Sequence, residues 1–570
     1  MEALKNRRLR SAVFHRDPRR HMGSPRRVGF VISALLVLAT PGLGCMGTLE
    51  GGPAEARREF DALRPAPAGL RALTPAQYEA SVRDVLDLGP SGSDDAPIAP
   101  LGQWATSIAA ARGGFSPTTV ENYEAGARDA AQWLTSDPSS RVARVGCTPT
   151  SAEGDACVTA FVSRIGRRAF RRSLTAEEQA RWTGLARTLG VSLGDPWRGL
   201  EHALSGILQS PHFLYRVEIG ERDPSASDPA QLRYTSLEMA TRLAYHVWGT
   251  TPDAALLAAA ERGELTTDEG LSRAIDRMLD DPRAEIGLEA FVADLLEVDG
   301  LLTLERDATL HPGFEALREP MREQLVRTAA TALAEDGFSA MFTTRITFVD
   351  ASLAPVLGLN PADFGPTLTR FEFPANGPRA GVLTQPGFLA LHAYPGKTSP
   401  ALRGLFVRRR LLCRDIPPPP PSVSTQLPTN VEGRLVTSRE LVAAHQASES
   451  CAGCHRYMDP IGLGLEQFDE IGAHRLQQNA LPIDPTGNLD GVDFDDAVGL
   501  GLAVADHPGL GRCMASRLYA FAAGSTVPPD HPSIVALATG GDDVRTMFHR
   551  TIESELFRLG WVTTSMETAP

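Results

Sequence analysis

The stretch ACVTAFVSRIGRRAFRRSLTAEEQARWTGLA, residues 156–186, gives the clearest indication of how this chain folds. It predicts two helices that meet at residues 173–175, because Thr175 followed by Glu178 is the pattern of a capping box at a helix start. Four arginines lie around the junction, namely Arg167, Arg168, Arg171 and Arg172. We expect them to form ion pairs on a solvated face of the helices and not to bind an anion. The stretch therefore predicts a pair of helices.

Helical segments of this kind run along most of the chain. The segment 73–88 begins with a Thr suited to N-capping and continues as an amphipathic helix, and Thr235 and Thr266 are further predicted caps. Aromatic residues make up only 6% of the chain, whereas Ala, Leu and Arg are plentiful, which favours helices over sheets. From about residue 346 Pro, Gly and short apolar stretches take over, and the run 483–496 predicts a hairpin turn. The predicted fold class is mainly α, with multidomain helical bundles and short β elements.

The first 44 residues have the composition of an export signal. A basic stretch from Met22 leads into the apolar run VISALLVLAT and then into small residues before Cys45. The apolar run is too short to span a membrane comfortably. We expect an exported protein, starting at Met1 or Met22, that reaches the periplasm or the outer membrane as a lipoprotein anchored through Cys45. An uncleaved N-terminal anchor is the alternative.

The charge of the chain excludes one class of partner. The formal net charge is −13, and residues 45–570 alone carry −20, because the first 44 residues hold nine Lys or Arg and two Asp or Glu. A chain this acidic is not expected to bind nucleic acid. The charge suits basic partners, or it serves solubility.

Most of the seven cysteines form predicted pairs. Cys45 belongs to the export signal, and in an oxidising compartment the others require pairing or ligation. Cys147 and Cys157 flank a short polar loop, which predicts a local disulfide. Cys413 and Cys513 form the second predicted disulfide.

The remaining two cysteines lie in the run CAGCH, residues 451–455. This is the spacing of a c-type haem attachment site, in which Cys451 and Cys454 bond to the haem vinyl groups and His455 binds the iron. A zinc site needs a second ligand pair, which the sequence lacks. A structural disulfide between Cys451 and Cys454 is the other alternative. We predict a covalently bound haem c.

Further residues are candidates for the iron site. Pro460 lies five residues after His455, where its carbonyl can accept the imidazole N–H, or where the proline simply ends a helical turn. His392 is the first candidate for the sixth iron ligand and Met514 the second. Met458 lies too close to His455 in the chain to reach the opposite side of a haem. A five-coordinate iron is the alternative.

Several segments occur in a characteristic order, among them RAGVLTQPGFLALHA, TSPALRGLFVRRRLLCRDIPPPPP and CAGCHRYMDPIGLGLEQFDEIGAHR. Together they resemble the large multidomain cytochrome-c-like proteins of planctomycetes and myxobacteria, which are built from several domains of unknown function. The resemblance covers nearly everything after residue 70 and is most specific between 380 and 475. It implies an envelope protein with a divergent cytochrome-c-like unit, and it names no reaction or substrate. The residues that match the family patterns are Cys451, Cys454, His455, Asp459, Pro460, Gly462, Glu466, Phe468, Asp469 and Gly472, and upstream His392, Thr398, Ser399, Pro400, Arg403 and Gly404.

These observations predict an ordered series of segments. They are a signal or lipoprotein segment (1–45), a tether (46–70), an N-terminal helical domain (71–140), a helical domain with a local disulfide (141–215), a third helical domain (216–345), a cytochrome-c-like haem-binding region (346–480) and a C-terminal helical domain (481–570).

The predicted function is electron transfer in the cell envelope, between the haem and a redox partner protein. One alternative is a haem-dependent oxidoreductase or peroxidase that acts on an extracellular substrate, with an open iron position and His392 as the distal group. The other is a haem-free binding or scaffold protein. No Ser nucleophile elbow, phosphate loop or H-E-x-x-H helix occurs, so hydrolase and NTPase functions have no support.

Overall fold

The computed structural model describes residues 67–88, 116–224, 226–417, 430, 431, 433–539, 541 and 543–562. In this part α-helices predominate, and the strands are short and lie in sheets of two or three strands, so the predicted fold class is confirmed. None of the described helices has the length and apolar character needed to cross a bilayer. The predicted signal segment and Cys45 lie outside the described residues.

The N-terminal region is a set of capped helices closed by a strand pair. Thr74 with Gln77, and Thr175 with Glu178, form capping boxes that satisfy backbone N–H groups at two helix starts. Strand β1 pairs with β2 in antiparallel register. The elements are β1 Gly69–Ala72, α1 Pro75–Val85, α2 Pro117–Ser136, α3 Arg141–Val145, α4 Ala156–Ala169, α5 Ala176–Leu193, α6 Pro196–Leu208, α7 Pro211–Leu214 and β2 Tyr215–Glu218.

Three of the four arginines at the junction of α4 and α5 form the ion pairs that the sequence favours. Arg167 pairs with Glu261, Arg168 with Asp87, and Arg172 with Glu178. Arg171 is instead buried, and its guanidinium donates to backbone carbonyls, among them that of Phe213.

The middle region continues with helices around a larger core. Thr235 caps α8 through a capping box, as predicted, whereas α10 is capped by Thr267 and not by Thr266, which lies in a 3₁₀ turn. The elements are β3 Glu221–Arg222, β4 Gln231–Arg233, α8 Ser236–Val247, α9 Ala254–Glu261, α10 Asp268–Leu279, α11 Arg283–Leu296, α12 Arg318–Asp336 and α13 Ala340–Thr343, with 3₁₀ turns at Glu264–Thr266, Val298–Thr303 and Phe314–Leu317.

The next region holds the CAGCH run. Its helices α15 and α17 cross so closely that a Cβ on Gly404 would collide with the carbonyl of Met458, and one on Gly462 with the carbonyl of Pro400. The elements are β5 Ile346–Val349, β6 Thr369–Glu372, α14 Pro386–Leu391, β7 Ala393–Tyr394, β8 Lys397–Thr398, α15 Pro400–Phe406, a π-helical turn Val407–Leu411, α16 Ser438–Gln446, α17 Glu449–Leu463, β9 Gln477–Gln478 and β10 Leu481–Pro482, with 3₁₀ turns at Pro361–Asp363 and Val382–Thr384.

The C-terminal region returns the chain to the middle of the fold. The predicted hairpin is confirmed as the antiparallel pair β11–β12, and β13 pairs with β4. The elements are β11 Gly487–Leu489, β12 Val492–Phe494, α18 Ala497–Ala505, α19 Leu510–Ala523, α20 Pro532–Ala538, α21 Val544–Glu553, α22 Glu555–Arg558 and β13 Leu559–Trp561.

Three hydrophobic cores hold these elements together. The largest extends from Tyr234 to Phe557, so α8–α13, the CAGCH region and the C-terminal helices share it. A second core joins the helices of the N-terminal region, and a smaller third lies around Phe348. Both predicted disulfides, Cys147–Cys157 and Cys413–Cys513, are confirmed.

A buried ionic cluster lies where β1, β2 and α8 meet. Glu218 is 0% exposed and pairs with Arg71, Arg216 and Arg242, each of which is also buried. Burial alone raises the pKa of Glu218, but the attraction of the three guanidinium groups outweighs it and lowers this pKa to about 2. Arg242 also donates to the carbonyl of Phe557, which ties the cluster to the C-terminal region.

Candidate haem attachment site

Helix α17 presents the three residues of the haem motif from consecutive turns. Cys451, Cys454 and His455 stand at positions i, i+3 and i+4, which lie on one side of an α-helix. All three side chains are partly exposed. Cys451 and Cys454 are thiols, so the predicted alternative of a disulfide between them is not what the structure contains. Both sulfur atoms are therefore outside any disulfide and partly exposed.

The imidazole of His455 is held from inside the protein. Its Nδ1 lies 2.9 Å from Oδ2 of Asp459, one helical turn further along α17. A carboxylate only accepts hydrogen bonds, so the proton of the neutral ring resides on Nδ1 and Nε2 is the nitrogen available to a ligand. Within the described part of the chain no side chain bonds to Nε2. This is the orientation that a metal-binding histidine requires.

Asp459 replaces the partner that the sequence predicted for His455. The carbonyl of Pro460 lies against Gly487 of β11, where an added Cβ would collide with it, and not at the imidazole. Asp459 is 0% exposed, and Nε2 of Gln446 donates a second hydrogen bond to its Oδ2 at 2.9 Å. Asp459, and not Pro460, therefore accepts the hydrogen bond that orients the imidazole of His455.

Helix α16 supplies the other neighbour of His455. The ring centroids of His445 and His455 are 4.7 Å apart in an edge-to-face arrangement. Burial, and next the nearby His455, lower the pKa of His445. His445 thus contacts the very ring that would bind the iron.

The donor set fits a c-type haem. It provides two accessible thiols, one imidazole with a fixed tautomer, and a buried carboxylate whose Oδ1 has no hydrogen-bond partner. Such an orphaned carboxylate oxygen is costly unless positive charge lies nearby, and a ferric haem on His455 would supply it. Among the described residues no three His, Cys, Asp or Glu side chains are arranged to hold a bare metal ion.

The structure does not bring His392 to His455. The His392 ring packs between Phe388 and Phe406, with centroids 4.7 and 4.5 Å away, and lines a cavity of about 680 Å³. The face of α15 that lines this cavity carries Leu402 and Leu405.

The opposite face of α15 carries Pro400 and Gly404, and these two residues contact α17. Helix α15 therefore stands between His392 and the haem motif. Burial, with a smaller contribution from Arg403, lowers the pKa of His392 to about 3. In this arrangement His392 is a neutral side chain between two phenylalanine rings, and its role as sixth iron ligand stays a prediction.

Met514, the second candidate for the sixth ligand, is also placed elsewhere. It is 0% exposed in α19, inside the largest core, next to the disulfide between Cys413 and Cys513. Met458 lies on α17 itself and is 9% exposed. The role of Met514 as sixth ligand stays a prediction.

The residues upstream of CAGCH that match the family pattern contact the segment that follows α17. The guanidinium of Arg403 donates to the carbonyls of Leu465, Phe468 and Asp469 and pairs with Glu466. The hydroxyl of Thr398 donates to the same glutamate at 2.6 Å. These residues hold the segment after α17 in place.

The sequence interpretation missed Asp459 as the hydrogen-bond partner of His455, and Gln446 as the second donor to Asp459. The signal for Asp459 was present, because a carboxylate four residues after a histidine on a helix lies within reach of its ring. No comparable signal exists for Gln446, because its contact with Asp459 depends on the packing of α16 on α17.

Comparison with known proteins identifies three domains. Residues 379–478 match the family model PSCyt3, described as a protein of unknown function (DUF1588). Residues 234–359 match PSD4 (DUF1592) and residues 157–218 match PSD5 (DUF1595), both described in the same words. No curated protein and no solved structure matches the chain. The chain is thus a multidomain protein built from domains of unknown function, and the first of these matches contains the whole candidate site.

Proposed function

We propose that this protein is an exported c-type haem protein that transfers electrons in the cell envelope. Cys451 and Cys454 would hold the haem covalently, and His455 would bind its iron. When bound, the haem supplies one-electron chemistry by alternating between Fe(III) and Fe(II). The observation that carries the proposal is the placement of Cys451, Cys454 and His455 on one side of α17, with the imidazole Nδ1 fixed by Asp459.

The chain's own residues have defined tasks in this function. The hydrogen bond to Asp459 prevents rotation of the His455 ring and keeps Nε2 directed away from the helix. Arg403 and Glu466 fix the segment after α17, and the close contact at Gly404 and Gly462 fixes α17 on α15. A redox centre held by such contacts reorganises little on electron transfer.

The cysteine usage supports an oxidising compartment. Two disulfides join four cysteines, one across 10 residues and one across 100, and such bonds persist outside the cytoplasm. This agrees with the export signal expected before Cys45 and with a lipid anchor on that residue. The name of the PSCyt3 family model, which points to a cytochrome, is a further indication of the same kind.

The proposal is tested by maturing the full chain in a bacterial periplasm equipped for c-type haem attachment. We expect haem that stays with the polypeptide through denaturing extraction and gel electrophoresis. The double variant Cys451→Ala/Cys454→Ala should lose it completely, because no thioether bond can form.

The matched control is Cys147→Ala/Cys157→Ala, which also removes two cysteines but leaves the CAGCH run intact. It should retain covalent haem at the wild-type ratio. A haem-free wild-type chain, produced in cells that mature a known c-type cytochrome, would overturn the proposal and favour a haem-free binding protein.

One observation favours a second candidate, a haem-dependent oxidoreductase. Among the described residues the two predicted sixth ligands pack elsewhere, His392 between Phe388 and Phe406 and Met514 in the largest core. A haem whose iron bound neither of them would have a position open to solvent or a substrate. In that case carbon monoxide or cyanide should bind the matured protein rapidly. Slow or absent binding would favour electron transfer alone.

A further inference from the structure

Asp459 is a carboxylate that the fold encloses completely. It is 0% exposed, Oδ2 accepts hydrogen bonds from His455 and Gln446, and Oδ1 is buried without a hydrogen-bond partner. Among the described residues His455 is the only basic side chain within 4 Å of it. Burying a negative charge costs free energy unless positive charge faces it. The site therefore favours positive charge on or beyond His455.

The two oxidation states of a haem differ in that charge. With the dianionic porphyrin ring, ferric iron leaves one net positive charge, and ferrous iron leaves none. The carboxylate also makes the imidazole a stronger electron donor through the Nδ1–H bond. Both effects stabilise the oxidised state more than the reduced state.

We propose that Asp459 is a positioning residue that lowers the reduction potential of the haem iron bound by His455. This rests on the proposed function. The step concerned is the transfer of one electron from a reduced partner protein to the iron, and no covalent bond forms or breaks in it. Asp459 acts through His455 and does not contact the iron.

Gln446 adjusts the strength of this effect. Its amide donates to Oδ2, the same oxygen that accepts the imidazole proton, so the two donors share the carboxylate's charge. Removing the amide should leave more negative charge for His455. Variants of Asp459 and Gln446 are therefore expected to shift the potential in opposite directions, which a general loosening of the site would not do.

The experiment is an optical redox titration of the matured full-length protein at constant pH. Asp459→Asn should favour reduction at least tenfold in equilibrium constant, which is 59 mV for one electron. Gln446→Ala should shift the equilibrium the other way by about twofold to fivefold. Asp415→Asn is the matched control, because it removes the same charge from a side chain that is 91% exposed, and its potential should equal that of the wild type.

The outcomes separate this inference from the proposed function. Covalent haem in Asp459→Asn with the potential of the Asp415→Asn control would overturn the inference and leave the proposed function intact. If Asp459→Asn does not fold, Gln446→Ala decides, and an unchanged or raised potential overturns the inference. A wild-type chain without covalent haem overturns both.

Discussion

Replacing Glu218 by Gln removes the one carboxylate that faces Arg71, Arg216 and Arg242 among the described residues. The amide nearly preserves the shape of the side chain, so the change isolates its charge. Three buried guanidinium groups are then left without an anion, and breaking a buried ion pair in this way typically costs about 3–5 kcal/mol. The pKa of about 2 gives a similar figure. It lies roughly 2.5 below the ordinary glutamate value, which corresponds to about 3 kcal/mol.

The lowered pKa also fixes the sign of the pH dependence. The unfolded chain binds the proton more tightly than the folded one, so the stabilisation is fully present above about pH 4.5. It is lost as the pH falls from there towards 2. The wild type should therefore lose stability over this window, and Glu218→Gln, which is already neutral, should lose about 3 kcal/mol less over the same window.

Denaturant unfolding at pH 7 and at pH 2 measures both quantities. Glu261→Gln is the matched control, because it breaks an exposed pair with Arg167 and should cost under about 1 kcal/mol. A loss below about 1 kcal/mol in Glu218→Gln at pH 7 would refute the reasoning. So would an acid sensitivity equal to that of the wild type.

Three further predictions concern the packing around the site. Gly462→Ala should lose about 1–3 kcal/mol in denaturant unfolding, because the new methyl meets the carbonyl of Pro400; Gly453→Ala on the same helix has open space and should lose nothing. His392→Leu should leave the Soret band of the matured protein in place, and a shifted band would show that His392 reaches the iron after all. His246 is buried against Phe548, and burial lowers its pKa to about 3. Below about pH 6.5 the unfolded chain therefore binds a proton on this residue, whereas the folded chain does not, and this destabilises the folded state. The wild type should therefore lose about 2 kcal/mol between pH 7 and 5 relative to His246→Leu, and equal slopes for the two proteins would contradict this.

Local chemistry made the helices predictable. Thr175 and Thr235 cap their helices through a glutamate three residues later, and a short pattern contains everything such a contact needs. The predicted cap of α10 was wrong by one residue, because Thr267 and not Thr266 is the N-cap. Two adjacent threonines offer the same side chain, and the 3₁₀ turn before α10 determines which of them caps the helix. The disulfides were predictable because few pairings remained once the CAGCH run was set aside.

The surroundings of His455 were less predictable because they depend on how distant segments cross. His392 precedes the haem motif in a promising segment, but the packing of α15 on α17 through Gly404 and Gly462 places it on the other side of a helix. The buried charge of Asp459 likewise depends on α16, whose Gln446 completes its hydrogen bonding. Sequence spacing shows which residues can carry chemistry, whereas these contacts decide which of them meet.

The pairing of β13 with β4, and the contact of Trp561 with Ala68, have a consequence for biogenesis. Ala68 and Trp561 lie almost five hundred positions apart in the chain. The hydrogen bonds of β4 with β13, and that of Arg242 with the carbonyl of Phe557, also need the C-terminal segment in place. Contacts of such long range are made late, after the local helices. A chain synthesised from its N-terminus therefore cannot complete these contacts until its final segment has emerged. During that interval the unfinished edges depend on chaperones for protection, and a stop codon that removes only the last dozen residues should leave a chain that proteases recognise.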